Sequence, residues 1–488
     1  MKVKNRKGLN RRRTTRQCIP SLFDETYSWR SIIRKAVSLT LVVVWWIQLT
    51  TAPPIAVPTA AITTTTTLSS PPITGISTPW TKSNPPDPIK LFDTQNPAIS
   101  NRHKCLVSIR QRQEALLNEL IPSTSSLERE LLLVDPAYHG NVGDHMLTVA
   151  ELDFLTKYHH HHRINQCHYV QAGLFVPPCD TTIFNYDYEY NDEYNNDNEK
   201  GTTTRVALWH AGGNWGDLWI SAQDVRIASF QTLLEHNFSI VSLPQSLYYS
   251  SKVLQERHAS RIKEQIALGL GLGDPFALES PDGRSLAQSR VTFTWRERES
   301  YHLAQKLYPF VQNRLIPDMA FQLGPYRSIP NDTNADDSVD VLMLLRNDHE
   351  STTMKKNDRM RTSRRVRTIL TSLPGDAADV TFRIVDWGDR LELFHSDNIF
   401  FTSTAIQLLS LGKVVVCDRL HAAILSYLSG LPLVYLDQVS GKLTKTLSAA
   451  FEDGGSGQSS SCALSDTMVA RAVDLEDALR KAIDFLHR

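Results

Sequence analysis

Apolar and polar positions along this chain alternate between two periods. Short apolar or β-branched runs recur at Leu131 to Val134, Arg205 to Leu208, Ile240 to Leu243, Val291 to Trp295, Val339 to Leu345, Val380 to Val385, Lys413 to Cys417 and Leu433 to Leu436. Between them lie stretches whose apolar residues are three or four apart, such as Ile109 to Leu120, Glu297 to Leu307, Thr402 to Leu411 and Ala422 to Leu428, with an amphipathic tail from Asp474 to Leu486. A period near two reads as strand and one near 3.6 as helix. Their regular alternation predicts an α/β fold whose parallel strands are covered on both faces.

Glycine marks two of the predicted strand-to-helix junctions. After Leu131 to Val134 comes Gly140-Asn141-Val142-Gly143-Asp144, then a helical stretch from His145 to Tyr158. After Arg205 to Leu208 comes Gly213-Asn214-Trp215-Gly216-Asp217, then Val225, Ala228, Leu233 and Leu234 on one helical face. Both copies of G-N-x-G-D read as a strand, a tight turn and a helix start. Glycines let backbone approach closely there, and a helix N-terminus offers free N–H groups to an anion.

The first 100 residues have a different composition. Residues 1–35 carry eleven Lys or Arg against Asp24 and Glu25 alone. Residues 36–52 are apolar with small polar interruptions, at the short end of the ~17–25 residues that span a bilayer. Basic flank plus apolar run predicts a signal-anchor helix with a cytoplasmic tail, hence a type II membrane protein with its bulk lumenal, in the Golgi. A cleaved signal peptide and an organellar transit peptide are the competing readings. Residues 53–100 are rich in Pro and Thr and predict a disordered stem. Residues 101–323 then form a first α/β domain with an insertion at 184–200, whose Tyr186 to Lys200 is acidic and Asn-rich. Residues 324–338 read as a linker and 339–488 as a second α/β domain.

Charge is balanced, with 52 basic and 52 acidic residues, so no global field points to nucleic acid. The six cysteines lack zinc-motif spacing; Cys167 and Cys179 pair across a loop or stay two ordinary thiols. His159 to His162 reads as a polar loop, since adjacent histidines cannot converge on one metal from a helix. No dinucleotide fingerprint, P-loop or G-x-S-x-G is present.

Ligands of open α/β sheets bind beyond the carboxyl ends of the strands. The first half places Asn141, Asp144, Gly213, Asn214, Asp217, Gln245 and Arg296 there; the second places Arg346, Arg419 and His421. Three guanidinium groups and an imidazole suit an anion, because the planar Arg fork matches carboxylate and phosphate. The Asp and Asn residues suit a polyhydroxylated partner or proton transfer.

The blocks HAGGNWGDLW, LPQSLYY, TWRERESYHLA, IPDMAFQL and CDRLHAAILSYLSGLPLVYLDQVSGKLTKTL, in that order, resemble the polysaccharide pyruvyl transferase family over roughly residues 130–450. The resemblance implies two Rossmann-like domains facing across a cleft in a GT-B-like arrangement. It also implies transfer of the pyruvate unit of phosphoenolpyruvate onto sugar hydroxyls as a ketal, with phosphate released and no further cofactor or metal. Arg296, Arg419, Leu420 and His421 would belong to the donor site, with Arg346 assisting, and the glycine loops would shape the acceptor cleft. His421 is the expected general acid, since an unperturbed imidazole titrates near neutrality. Asp217 or Asp144 is the expected base, or orients the sugar. A nucleotide-sugar glycosyltransferase of the same architecture, or a non-catalytic glycan-binding membrane protein, are the alternatives that the residues alone allow.

Overall fold

The computed structural model describes residues 97–121, 129–137, 141–159, 163–167, 204–325, 338–348, 350–351, 353, 358–387, 398–437, 439–452 and 467–488. The basic tail, the apolar run at 36–52, nearly all of the stem, the 184–200 insertion, His160 to His162 and most of the 324–338 linker lie outside them. Among the described residues no helix is long and apolar enough to cross a membrane.

A helix α1 (Pro97–Leu120) opens on proline, whose missing N–H costs nothing at the first helical position. It begins inside the stretch that composition alone groups with the stem. The first half continues as β1 (Arg129–Val134), α2 (Val142–His159), β2 (Arg163–Cys167), β3 (Thr204–Trp209), β4 (Gly212–Gly216), α3 (Ile220–Glu235), β5 (Phe238–Tyr248), α4 (Lys252–Gly269), α5 (Pro281–Arg290), β6 (Val291–Trp295), α6 (Arg298–Leu307) and β7 (Gln312–Leu315), closing on a 3-10 turn at Met319–Leu323. Its strands lie in the order β2-β1-β3-β5-β6-β7, with β4 following β3 along the same neighbour, β5, and every pair is parallel.

The second half holds β8 (Val339–Leu344), α7 (Arg359–Ser372), β9 (Phe382–Val385), α8 (Asn398–Leu409), β10 (Gly412–Cys417), α9 (Leu420–Leu428), β11 (Leu433–Leu436), α10 (Lys442–Glu452), β12 (Val469–Ala472) and α11 (Leu475–Leu486). Its sheet order is β12-β11-β10-β8-β9, again all parallel. Both sheets are therefore Rossmann-like. Each reverses strand order at its first strand, β1 and β8, and that reversal opens a crevice at the carboxyl ends.

Burial follows the apolar runs. One cluster, including Trp209, Trp215, Phe230, Phe293, Trp295 and Tyr308, fills the outer face of the first sheet. Another, built on Val341, Met343, Val414, Val416 and the apolar face of α11, does the same for the second. A third contains Leu131, Leu133, Met146 and Leu147 from the first half together with Leu342, Leu344, Val415 and Ala423 from the second. This shared cluster packs the two sheets' facing helices and strands into one continuous apolar core.

The second G-N-x-G-D departs from expectation. Gly212–Gly216 is a strand, and the helix begins later, at Ile220. The physical reason is local. Gly212 and Gly216 have φ of 143° and 120°, and a Cβ on Gly216 would lie 1.8 Å from the Tyr248 carbonyl oxygen. The segment is glycine-rich because it lies flat against β5. The first copy does open a helix, but from Val142, which brings Gly143 and Asp144 into its first turn. β5 runs through Pro244, where its pairing with β6 shifts register between Ser242 and Gln245. Such an irregularity accommodates a residue that has no N–H to give the ladder.

Candidate functional site

Arg296 follows the last residue of β6 and is 1 % exposed. Its Nε donates to Ser246 Oγ at 2.7 Å and its Nη1 to Asp318 Oδ2 at 2.6 Å. Asp318 is fully buried just before the 3-10 turn, where its Oδ1 accepts the N–H of Ala320 at 2.8 Å. Burial alone would raise its pKa, but the Arg296 guanidinium and the His421 imidazole beside it hold the carboxyl well below the ordinary range. Beside Arg296, Glu297 accepts hydrogen bonds from Ser246 and from Ser300 Oγ, the latter at 3.1 Å, and burial pushes its carboxyl up.

His421 comes from the second half of the fold. Arg419 is the N-cap residue of α9, which puts His421 in the first turn, as its spacing after β10 implied. Its Nε2 lies 3.6 Å from Asp318 Oδ2. The opposite edge of the ring meets the first glycine loop: a Cβ built on Gly143 would sit 2.2 Å from His421 Nδ1. Asn141 shapes that loop, accepting from Gly143 N at 3.1 Å and donating to Asp144 Oδ2 at 3.0 Å. Asp144 is buried, and a Cβ on Gly212 would be 3.9 Å from its Oδ1. Gly213 faces two cations: its Cβ would be 3.0 Å from Arg296 Nη2 and 3.6 Å from Lys442 Nζ.

Behind these groups runs a chain of ion pairs. Lys442 Nζ meets Glu350 Oε2 at 2.5 Å, and the other oxygen of Glu350 accepts from Arg346 Nη2 at 2.9 Å. Arg346 also grips Asp348 with two bonds of 2.8 and 2.7 Å. Arg419 pairs with Asp386 at 2.7 Å and approaches Asp348 at 3.7 Å. Burial pushes the Lys442 ammonium down, with Glu350 opposing. Asp418, fully buried beneath the chain, accepts from Arg346 N and Ser351 Oγ, yet burial pushes it up to about 6.

The structure thus brings Arg296, His421, Gly213 and the Asn141–Asp144 turn together. Arg346 stands further back, with Asp348 and Glu350 as partners. Asp217 is committed elsewhere: it accepts from Ser250 N, Ser250 Oγ and Ser251 N at 2.8–2.9 Å, so it braces the β5–α4 turn. Gln245 is fully buried and its side chain donates to the His210 carbonyl, a scaffolding contact. Leu420 is a core residue of the shared cluster. Asn214 lies within β4. A cavity of about 210 Å³ reaches Arg296 from the α1 side, lined mainly by Leu116, Leu315, Ile316, Pro317 and Ala449. None of the other residues expected from sequence lines it.

Asp318, Lys442 and Glu350 were not singled out from sequence. The strand-end rule that found Arg346 and Arg419 would have found Lys442, which starts α10 beyond β11. Asp318 sits in the quoted IPDMAFQL block but precedes only a 3-10 turn, and nothing local marks it as the partner of residues 22 and 103 positions away (318 − 296 and 421 − 318).

Fold and site together define a parallel α/β protein with buried cations converging at the strand ends of two sheets. The chain belongs to the polysaccharide pyruvyl transferase family, whose pattern matches residues 141–438. Among its relatives, pyruvyl transferase 1 of Schizosaccharomyces pombe is 28% identical over 246 residues, covering 48% of this chain and 52% of that protein. The chain thus aligns with about half the length of that relative. A Bacillus subtilis protein named as a pyruvyl transferase, EpsO, is 25% identical over 357 residues, covering 70% of this chain and 90% of its own. A solved structure from Klebsiella pneumoniae covers 68% of this chain and 92% of its own at 16% identity, with a TM-score of 0.35, too low for the two folds to be equated.

Proposed function

We propose that this protein transfers the pyruvate unit of phosphoenolpyruvate onto sugar hydroxyls of a glycan, forming a pyruvate ketal and releasing phosphate. The observation that carries the reading is the approach of Arg296 and His421, from opposite halves of the fold, to the buried carboxylate of Asp318, at 2.6 and 3.6 Å. The donor carries a carboxylate and a phosphate, so it needs more than one cation. Arg296, Arg419 and Lys442 supply them, with Arg346 holding Glu350 and Asp348 in place behind. Guanidinium forks suit either anionic group.

His421 delivers a proton to the methylene carbon, which becomes a methyl group. The neighbouring carbon turns electrophilic and takes the oxygen of one sugar hydroxyl. Phosphate leaves, and a second hydroxyl closes the ketal. Of the two hydroxyl protons, one replaces the proton spent on carbon and one leaves with phosphate. Asp144, at the helix start beside Gly143, is the better-placed carboxylate to orient or deprotonate the sugar, since Asp217 is bound up in a turn.

The two sheets form the two halves of a GT-B-like enzyme. Residues 36–52, apolar behind a basic flank, anchor it as a type II protein with the catalytic part in the Golgi lumen. The test is phosphate release from phosphoenolpyruvate with a panel of glycans, followed by product analysis for the ketal. His421→Ala should abolish release while the circular dichroism spectrum persists. Wild-type turnover by that variant would end the acid assignment, and no release with any glycan would end the reading.

A further inference from the structure

We infer that Asp318 is the positioning residue of this site, the group that fixes Arg296 and His421 in their working orientation. The inference rests on the pyruvyl-transfer reading and names a residue that reading does not require.

Asp318 divides its two oxygens between two tasks. Oδ1 is the helix-cap acceptor for Ala320 N. Oδ2 faces the site, 2.6 Å from Arg296 Nη1 and 3.6 Å from His421 Nε2. Among the described residues, the charged groups recorded as acting on it are those two, one from each half of the fold. From α1, the neutral Gln113 donates its Nε2 to the backbone oxygens of Pro317 and Asp318 at 2.7 and 2.9 Å, and Arg112 lines the cavity beside Arg296 and Pro317. A carboxylate at zero exposure is thus hydrogen-bonded to the Arg296 fork and stands at ion-pair distance from the His421 ring. Arg296 is held from its other edge by Ser246, and His421 from its other edge by Gly143. Asp318 is therefore the shared inner stop for both. With Nε2 turned to Asp318, the Nδ1 edge of His421 packs against Gly143 in the Asn141–Asp144 turn.

An Asn at 318 has one acceptor oxygen. It cannot both cap Ala320 and accept from Arg296, so one contact is lost. A Ser keeps the cap and loses the contact to the site. Asp318→Asn and Asp318→Ser in the full-length chain should both fold, read by circular dichroism and thermal melting. Each should lose about 100-fold in kcat for phosphate release, the scale expected for a misdirected catalytic group. The KM for phosphoenolpyruvate should rise and the KM for the glycan should stay within about twofold.

A purely structural role predicts less folded enzyme with both KM values unchanged. That result, or failure of both variants to fold, overturns the inference. Absence of phosphate release by the wild-type protein would instead strike the parent reading. In that case a crystal structure of the Asn variant still decides the matter: Arg296 and His421 displaced from their wild-type positions supports the inference, and both unmoved sinks it.

Discussion

A single methyl group on Gly143 would occupy the space taken by His421 Nδ1, 2.2 Å away. The glycine is required by close approach rather than by its own backbone angles. Gly143→Ala should therefore push the imidazole off its position, lowering phosphate release by ~10- to 100-fold while overpacking costs about 1–3 kcal/mol of stability. Unchanged turnover in that variant would show that the ring needs no such fit. Asp418 gives the pH prediction. Its folded pKa is about 6, above the ~3.9 of an unfolded aspartate. Between those values the folded state binds more protons than the unfolded one, so this group's contribution to stability falls as pH rises from about 4 to about 6 and is flat beyond. Asp418→Asn mimics the protonated acid. Urea unfolding should show the variant gaining on the wild type across that window, and a constant difference would refute it.

At the scale of elements, the two G-N-x-G-D copies look alike in sequence and fold differently. The first opens α2 and the second lies along β5 as β4. Their difference comes from what sits opposite. Gly216 abuts the Tyr248 carbonyl, and its φ of 120° lies where L side chains are strained. Gly216→Ala should cost about 2 kcal/mol or more through strain and clash, seen as a lower urea midpoint. A wild-type midpoint would mean that β4 does not dock as described. Strands and most helices were legible because their apolar periods follow from which faces are buried, and a parallel sheet buries both. β4 was not, because Gly212–Gly216 has little side chain to carry a period, and its pairing partner, Gln245 to Tyr248, lies a whole helix further along the chain.

For the whole molecule, the shared apolar cluster fixes the relation of the two sheets, and the site exists only where their strand ends meet. Full-length protein should sediment with membranes and resist alkaline carbonate, whereas a chain lacking residues 1–52 should stay in the soluble fraction. Recovery of the full-length chain in the soluble fraction would remove the anchor.

The α/β class, the strand ends at Arg296, Arg346, Arg419 and His421, and the family could all be read along the chain, because these are local patterns of period and motif. Which of those groups meet was settled by the packing of the folded chain. It set Arg296 and His421 on Asp318, drew in Lys442, sent Asp217 to a turn and Arg346 to a row of carboxylates. Such pairings depend on packing between residues far apart in the chain, and a charge carries no mark in sequence of the partner that will neutralise it.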